Sequence, residues 1–523
     1  MKAEVSRRNF LAGMAGVGAL AAAGLAGCAP QVASDEEKSA PVAQASDNVE
    51  WDKETDVVVV GFGGAGAAAA IEAKRAGSEV VLLEMNPRGG GSTMACGGFI
   101  MMGGTELQEK FGVEDSTENF YKYLCAAGGE TEEGEEFIRV VADASPEVYK
   151  WCVSCGMDFE SGICDMEHHL GGNNAGTSLG FSGNEMARDY AAVTPAVPRG
   201  HMAQPGSSGK DIFAALQATV EAEGIEVLYE TPGSYLLQNA EGRVTGICAQ
   251  GEDGELFVKA RKGVVLTCGG FVDNPEMLNA YYPFVNKRGS HLTTAGSENG
   301  SGILMGQALG AATRGMGRFQ IGYPLVTLTE HLAKGVLVNE RGHRIVAEDE
   351  YNSFMGKAII MAPTSRCYTI VDEATLQEGN GKIPSMSQEV LVANSFAEIA
   401  EGLGINADVL EATMAFYNES VSLGEDREFG KAAKFLHPME TGPFHVYLTG
   451  SEQCYTASCG GLKIDTGAHV LKEDGTMIPG LYAAGRNAGT IYGWYMGSGS
   501  SLADVFTFGR IAGQNAAAEE PVA

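Results

Sequence analysis

The chain has 523 residues, ordinary hydrophobic (44%) and charged (20%) fractions, and a formal charge of −31. That length exceeds one simple core and predicts two domains. So acidic a chain disfavours nucleic acid and anionic membrane surfaces as partners, and the surplus of acids reads as a means of staying soluble.

The N-terminus reads as an address. Ser6-Arg7-Arg8-Asn9-Phe10-Leu11 matches a twin-arginine export signal, and a small-residue apolar run follows from Ala12 to Ala26. That run is short and rich in Gly and Ala for a membrane span. Leu25-Ala26-Gly27-Cys28 looks like a bacterial lipobox. It implies cleavage before Cys28, lipid on its thiol, and a membrane lipoprotein on the extracytoplasmic face. A cleaved signal without lipid is the alternative. Residues 29–50 are rich in Ala, Ser, Pro, Gln and acids, and read as a flexible tether.

The stretch 55–84 carries the strongest signal. Asp56-Val57-Val58-Val59-Val60 is an apolar, β-branched run of the kind found in buried parallel strands. Gly61, Gly63 and Gly66 complete G-x-G-x-x-G, Ala65 to Ala76 favours helix, and a second strand ends at Glu84. Gly61 allows the tight turn, Gly63 lets backbone approach a pyrophosphate, and Gly66 lets helix pack on strand. The helix N-terminus offers free N–H groups to phosphate, and Glu84 can accept from a ribose diol. Strand, motif, helix, strand and acid together predict dinucleotide binding.

Further along, residues 117–150 read as helices. Cys152-x-x-Cys155, with Cys164 nearby, admits unpaired structural thiols, a disulfide, or a metal or cluster; no ligand set for a metal is assigned. Gly156 after Cys155 excludes c-type haem attachment there. Positions 161–209, rich in Gly, Asn and Ser, suggest irregular structure around a site. A helix is predicted over 211–224 and strands over 225–229, 233–238, 244–249 and 256–260, with turns at Glu241-Gly242 and Asp253-Gly254. Lys262 to Phe271 returns as a buried strand entering a Gly-Gly turn. A hairpin is expected at Val336–Arg344, strand-then-glycine segments at 460–465 and 480–485, and a helix over 500–518. The pattern predicts an α/β protein. A Rossmann-like domain is assembled from both ends of the chain (51–290 and 449–523), with an inserted α+β capping domain at 291–448.

With these landmarks the chain resembles the FAD-binding flavoproteins of the fumarate reductase, urocanate reductase and 3-ketosteroid dehydrogenase superfamily. The segments that carry the resemblance are Gly61-Phe62-Gly63-Gly64-Ala65-Gly66, Gly89-Gly90-Gly91-Ser92-Thr93, Leu266-Thr267-Cys268-Gly269-Gly270-Phe271, Val338 to Arg344, Cys459 to Asp465, and Gly480 to Gly485. The resemblance implies FAD held by Gly61, Gly63, Gly64, Ala65, Gly66, Glu84 and Met85. It adds Gly91, Ser92, Thr93, Gly97 and Gly98, then Gly269 and Gly270, Gly485 and Arg486, and Ser500, Ser501 and Leu502. Ser92 stands where members with covalent FAD carry a His, so FAD is expected to be non-covalent.

Departures from the family narrow the substrate. The late Thr-Gly-Gly-x-His-Gly-x-Asn-Arg element of fumarate reductases is replaced by Asn487 to Trp494. Their proton-donating Arg follows an R-F-x-x-E motif; here Arg344-Ile345-Val346-Ala347-Glu348 leads to Asp349-Glu350-Tyr351-Asn352, and Tyr351 is the substitute. A late His is replaced by the segment Thr456 to Cys459. A dicarboxylate without cationic partners is poorly held, although Arg314, Arg318 and Arg486 could contribute. Tyr495-Met496-Gly497-Ser498-Gly499 instead resembles the late Tyr-x-Gly-x-Gly of ketosteroid dehydrogenases, with Tyr351 one residue off the usual spacing. Carried over, the Tyr495 hydroxyl and Gly499 N–H polarise a carbonyl. Packing of Tyr495 against Trp494 is the alternative, and Tyr121, Tyr123 and Tyr323 are further pocket candidates.

These features lead us to expect an exported FAD-dependent oxidoreductase that reduces, or forms, a C=C bond conjugated to a carbonyl. Hydride passes through flavin N5, Tyr351 protonates the α-carbon, and the substrate is ketosteroid- or enone-like. Alternatives are a reductase of unsaturated carboxylates such as acrylates or fumarate, and a tethered, non-catalytic electron-transfer flavoprotein. Electrons are expected from a separate donor such as a membrane or extracytoplasmic cytochrome.

Overall fold

The computed structural model describes residues 44–46 and 49–522, apart from 129–131, 165–175, 184, 186–187, 205, 207, 289–290, 293, 295, 324–329, 364–365, 382, 384–387, 494 and 496. The export signal, Cys28 and most of the tether lie outside the described residues.

The valine run forms β1 (Lys53–Val60), where Val57, Val58, Val59 and Val60 are all buried. Burial on both faces explains a continuous apolar run where a half-exposed strand would alternate. The glycine turn leads into α1 (Gly64–Arg75) and then β2 (Val80–Leu83), parallel to β1. Gly66 is dictated by close approach: a Cβ there would stand 1.8 Å from the Gly61 carbonyl oxygen. β3 (Glu226–Leu228) extends the parallel sheet beyond β2.

β4 (Gly233–Gln238), β5 (Val244–Gly251) and β6 (Gly254–Leu266) make an antiparallel meander. The two strands predicted over 256–260 and from 262 onward are one strand of 13 residues. A register shift between Ala260 and Gly263 marks the point where the two polar residues Arg261 and Lys262 interrupt the pattern. β6 is the seam of the sheet. Residues 254–259 pair with β5, while 258–260 and 263–266 pair with β1 on the other edge.

The inserted segment builds its own sheet from β7 (Val336–Asn339), then α2 (Asn352–Met361), β8 (Arg366–Asp372), β9 (Gln388–Ala393) and β10 (Phe444–Gly450). The order is β7-β8-β10-β9, all antiparallel. Ile399, Leu410, Met414 and Tyr417 pack against it in a separate apolar cluster. The hairpin expected at Val336–Arg344 is a single bridge, Val338 to Arg344, because β7 pairs with β8.

β11 (Met477–Ala483) returns to the first sheet, parallel to β6 at Val264–Leu266. α3 (Ser500–Ala518) then runs along α1. Gly509 and Gly513 share a helix face. Cβ atoms on them would stand 2.8 Å from the Ala65 oxygen and 2.1 Å from the Ala69 oxygen. The two ends of the chain therefore meet through small residues. Cys152 and Cys155 are buried free thiols. Among the described residues no cluster suits a metal, and no helix is long and apolar enough to cross a membrane.

Candidate active site

A cleft of about 930 Å³ opens beyond the carboxyl ends of β1, β2, β6 and β11. Open α/β sheets place their ligands there, where loops from several strands converge. Phe62 N–H donates to Glu84 Oε2 at 2.8 Å, and Asn86 N and Nδ2 donate to Oε1 at 2.8 and 2.9 Å. The carboxylate is thus fixed at the end of β2, facing the cleft. Gly64 N–H donates to Thr93 Oγ1 at 3.0 Å, which ties the turn to the next helix. Ser92 Oγ donates to Glu298 Oε1 at 2.6 Å, and Arg486 pairs with the same oxygen at 2.9 Å. Burial works against the Arg486 charge, but Glu298 beside it holds the pKa above the usual value. Glu298 Oε2 is buried with no protein partner. An acceptor left so at a cleft wall suits a ligand that brings its own donor.

A second constellation stands on α2 and α3. Tyr351 caps the N-terminus of α2, and its Oη lies 3.1 Å from Ser498 Oγ. Burial pushes the Tyr351 pKa well up, and neighbouring Tyr495 and Tyr455 add to it. Tyr495 is raised by burial too, and its ring stacks on Tyr492 at 5.9 Å between centroids. Gly499 is the N-cap of α3 with φ +94°, and a Cβ there would stand 2.7 Å from Met101 N. Only glycine fits, and the turn places the positive end of a 19-residue helix at the tyrosines.

Side chains far away hold this geometry. Arg344 donates to Glu348 at 3.1 and 2.8 Å and to Asp426 at 3.0 and 2.9 Å, and Lys431 pairs with Glu348 at 3.2 Å. All four side chains are buried, so the R-x-x-x-E motif is a desolvated ion cluster that fixes the loop into Tyr351. Burial would raise Asp426, but Arg344 brings its pKa down to about 2. Arg314 donates to the Gly489 carbonyl at 3.1 Å and Arg318 to that of Tyr492 at 2.6 Å. Both arginines thereby brace the segment that precedes Tyr495. Thr490 Oγ1 donates to Asp504 Oδ1 at 2.6 Å, and burial lifts Asp504 to about 7. Beside Tyr495 lies a cavity of about 620 Å³ walled by Tyr282, Phe319, Ile321, Phe354, Lys357 and Met361.

The family profile for the FAD binding domain matches residues 56–502. The chain belongs to this FAD-binding flavoprotein family. It is 30% identical to the urocanate reductase of Eggerthella lenta, over 92% of this chain and 77% of that protein. Identity is also 30% to the NADH:fumarate oxidoreductase of Klebsiella pneumoniae, over 89% of this chain, which spans 48% of that protein's length. Among solved structures, the 3-ketosteroid-Δ4-(5α)-dehydrogenase of Rhodococcus jostii RHA1, in complex with 4-androstene-3,17-dione, superposes with a TM-score of 0.84. That pair is 33% identical over 92% of this chain and 100% of the other. The cofactor is FAD, and the family is one of FAD-dependent oxidoreductases acting on C=C bonds.

In this flavoprotein Gly61, Gly63, Gly64, Ala65, Glu84, Met85, Gly91, Ser92, Thr93, Gly269, Gly485 and Arg486 line the cleft. Gly66, Gly97, Gly98, Gly270, Ser500, Ser501 and Leu502, also expected at the cofactor, do not line it. Gly66 and Gly270 stand behind the wall, where a Cβ would meet Gly61 O at 1.8 Å or Ser458 Oγ at 2.0 Å. Ser500 accordingly turns inward and donates to the Gly497 carbonyl at 3.0 Å. The cleft also uses Thr231, Ser297, Glu298 and Asn299 from loops, and Ser301 from the start of the helix Ser301–Ala308.

On the tyrosine side, Trp494 and Met496 lie outside the described residues. Of the further tyrosines, Tyr123 adjoins the site: a Cβ on Gly497 would lie 3.3 Å from its Oη. Tyr121 bonds Glu135 beneath Arg139 on an exposed face, and Tyr323 shares a hydrogen with Thr449 at 3.1 Å. Ser498 and Tyr455 were not foreseen, and the nearby Tyr495 was the signal that could have found Ser498.

Proposed function

We propose that this flavoprotein reduces a C=C bond conjugated to a carbonyl in an enone- or ketosteroid-like substrate, with FAD held non-covalently. The observation that carries the reading is the meeting of Tyr351 with Ser498 and with Tyr495, which itself lines a cavity walled by Phe319, Ile321 and Phe354. The glycine turn, Glu84 and the Glu298–Arg486 pair would hold FAD, which when bound and reduced supplies a hydride to the β-carbon. Tyr495 Oη and Gly499 N–H polarise the carbonyl oxygen, where negative charge develops. Tyr351 Oη gives its proton to the α-carbon, and its contact with Ser498 Oγ offers a route for replacement. The raised pKa keeps Tyr351 protonated at neutral pH, which suits an acid and so favours reduction over the reverse. The two electrons come from a separate donor, such as a cytochrome. The sequence motifs at 6–11 and 25–28 support twin-arginine export and a lipid anchor on Cys28.

The test is anaerobic turnover of the FAD-loaded protein with reduced viologen, offered 4-androstene-3,17-dione, urocanate and fumarate. The steroid is expected to be consumed, and Tyr351→Phe and Tyr495→Phe to lower its turnover by about 10²-fold or more. Turnover of the acids alone would sink the reading. An unsaturated carboxylate remains the second reading, because Arg486 stands within electrostatic reach of Tyr495. Bound FAD with no turnover of any of the three would leave an electron-transfer protein.

A further inference from the structure

One buried acid near the tyrosines takes no part in the chemistry above. Glu185 is 1% exposed. Its Oε1 accepts from the Ser182 N–H at 2.7 Å and from Ser182 Oγ at 2.6 Å, and its Oε2 accepts from the Gly183 N–H at 2.9 Å. The Ser-x-x-acid spacing allows this, because the acidic side chain reaches back to the N–H of the serine. Ser208 and Asp211 repeat the device, with Ser208 N–H and Oγ donating to Asp211 Oδ2 at 3.1 and 2.5 Å. Ser182 and Gly183 are thereby pinned, since releasing them would leave both oxygens of a buried carboxylate without donors.

The pinned pair touches both partners of the Tyr351–Ser498 contact. Gly183 packs against the Tyr351 ring: a Cβ there would stand 2.5 Å from Cε2 and 2.6 Å from Cδ2. Ser182 O accepts from the Ser498 N–H at 3.1 Å, and Ser498 Oγ lies 3.1 Å from Tyr351 Oη. A Cβ on Gly497 would stand 3.2 Å from Ser182 Oγ, so the same pair also backs the turn that follows Tyr495.

We propose that Glu185 is a positioning residue for proton delivery. By fixing Ser182 and Gly183 it holds the Tyr351 hydroxyl and Ser498 Oγ within hydrogen-bonding reach of each other. This rests on Tyr351 as the proton donor in the reading above, and holds for an enone or an unsaturated acid alike.

The test is a double-mutant cycle on full-length FAD-loaded protein with reduced viologen. The acceptor is whichever of 4-androstene-3,17-dione, urocanate and fumarate the wild type reduces. Glu185→Gln sets an amide donor against an N–H group. It is expected to lower kcat about ten-fold, with KM within about two-fold of wild type and flavin content unchanged. Glu185→Asp is expected to restore most of the rate, because Asp211 makes such bonds to Ser208. In the Tyr351→Phe background Glu185→Gln is expected to add no further loss. An equal loss in both backgrounds overturns the proposal, as does a Glu185→Gln kcat within about two-fold of wild type. Amide exchange reads the contact without turnover: Glu185→Gln should speed exchange at Ser498, and unchanged exchange overturns the proposal. Should Glu185→Gln not fold, Ser182→Ala, which removes one of the three bonds, takes its place in both measurements with a loss of about three-fold. Reduction of the acids alone would sink the enone reading and leave the cycle to judge Glu185. Reduction of none of the three removes the proton transfer and the proposal with it.

Discussion

The cofactor cleft and the tyrosine pocket are neighbours made by opposite means. The cleft is largely backbone: a glycine turn, strand ends, and one carboxylate held by main-chain N–H groups. The pocket is side chain: Tyr351, Tyr455, Tyr495 and Ser498 arrive from three separate segments and are held by ion clusters elsewhere. A backbone site fails when a glycine gains a carbon. A side-chain site fails when one hydroxyl is lost while the fold stands. Substitutions should therefore divide into those that empty the cleft and those that stop turnover with flavin in place.

The largest effect is expected at Gly66→Ala, whose Cβ would sit 1.8 Å from the Gly61 oxygen. Flavin absorbance per purified chain should fall to near zero; a flavin-replete protein would refute the close-packing argument. Next comes Tyr351→Phe. Loss of the proton donor should lower kcat for enone reduction about 10²–10³-fold with flavin content retained. Flavin lost in parallel with turnover would mean the two regions are one unit. Glu84→Ala removes the acceptor of the Phe62 N–H and should weaken FAD binding about ten-fold, read by titrating apoprotein. An unchanged dissociation constant would remove Glu84 from the cleft's chemistry.

A last test joins the two regions. Asp504, on α3, accepts from Thr490 in the braced segment, and burial lifts its pKa from 3.8 to about 7. The folded chain then keeps a proton that the unfolded chain has shed. Stability on this account falls as pH rises from about 4 to about 7, at about 1.4 kcal/mol per pH unit, and levels off above. Asp504→Asn should flatten that limb in denaturant titrations of the apoprotein. A limb of unchanged slope would assign the proton to another group.

The same contrast sets what could be read from the chain alone. The β1–α1–β2 unit and the helix at Ser500–Ala518 were legible because each is governed by local periodicity and glycine placement. β6 was read as two strands because Arg261 and Lys262 break the alternation, whereas hydrogen bonding carries the strand across the bulge. Arg344 finds Asp426 across 82 residues, and Tyr351 finds Ser498 across 147. No local pattern encodes such pairs; packing of the inserted sheet brings them together. Glu298 was missed for the same reason, meeting Ser92 from 206 residues away.

The seam strand β6 has a consequence for biosynthesis. Its Val264–Leu266 edge pairs with β11, and the far wall of the cleft is Ala484 to Arg486 with Val505. A chain made from its N-terminus forms β1 to β6 long before those residues exist. Until they are made, β6 presents an uncovered edge to any other strand nearby. Completion of the cleft is therefore a late event, and an mRNA cut before the codon for Met477 would yield a sticky half-sheet whose cleft lacks the wall of Ala484, Gly485, Arg486 and Val505.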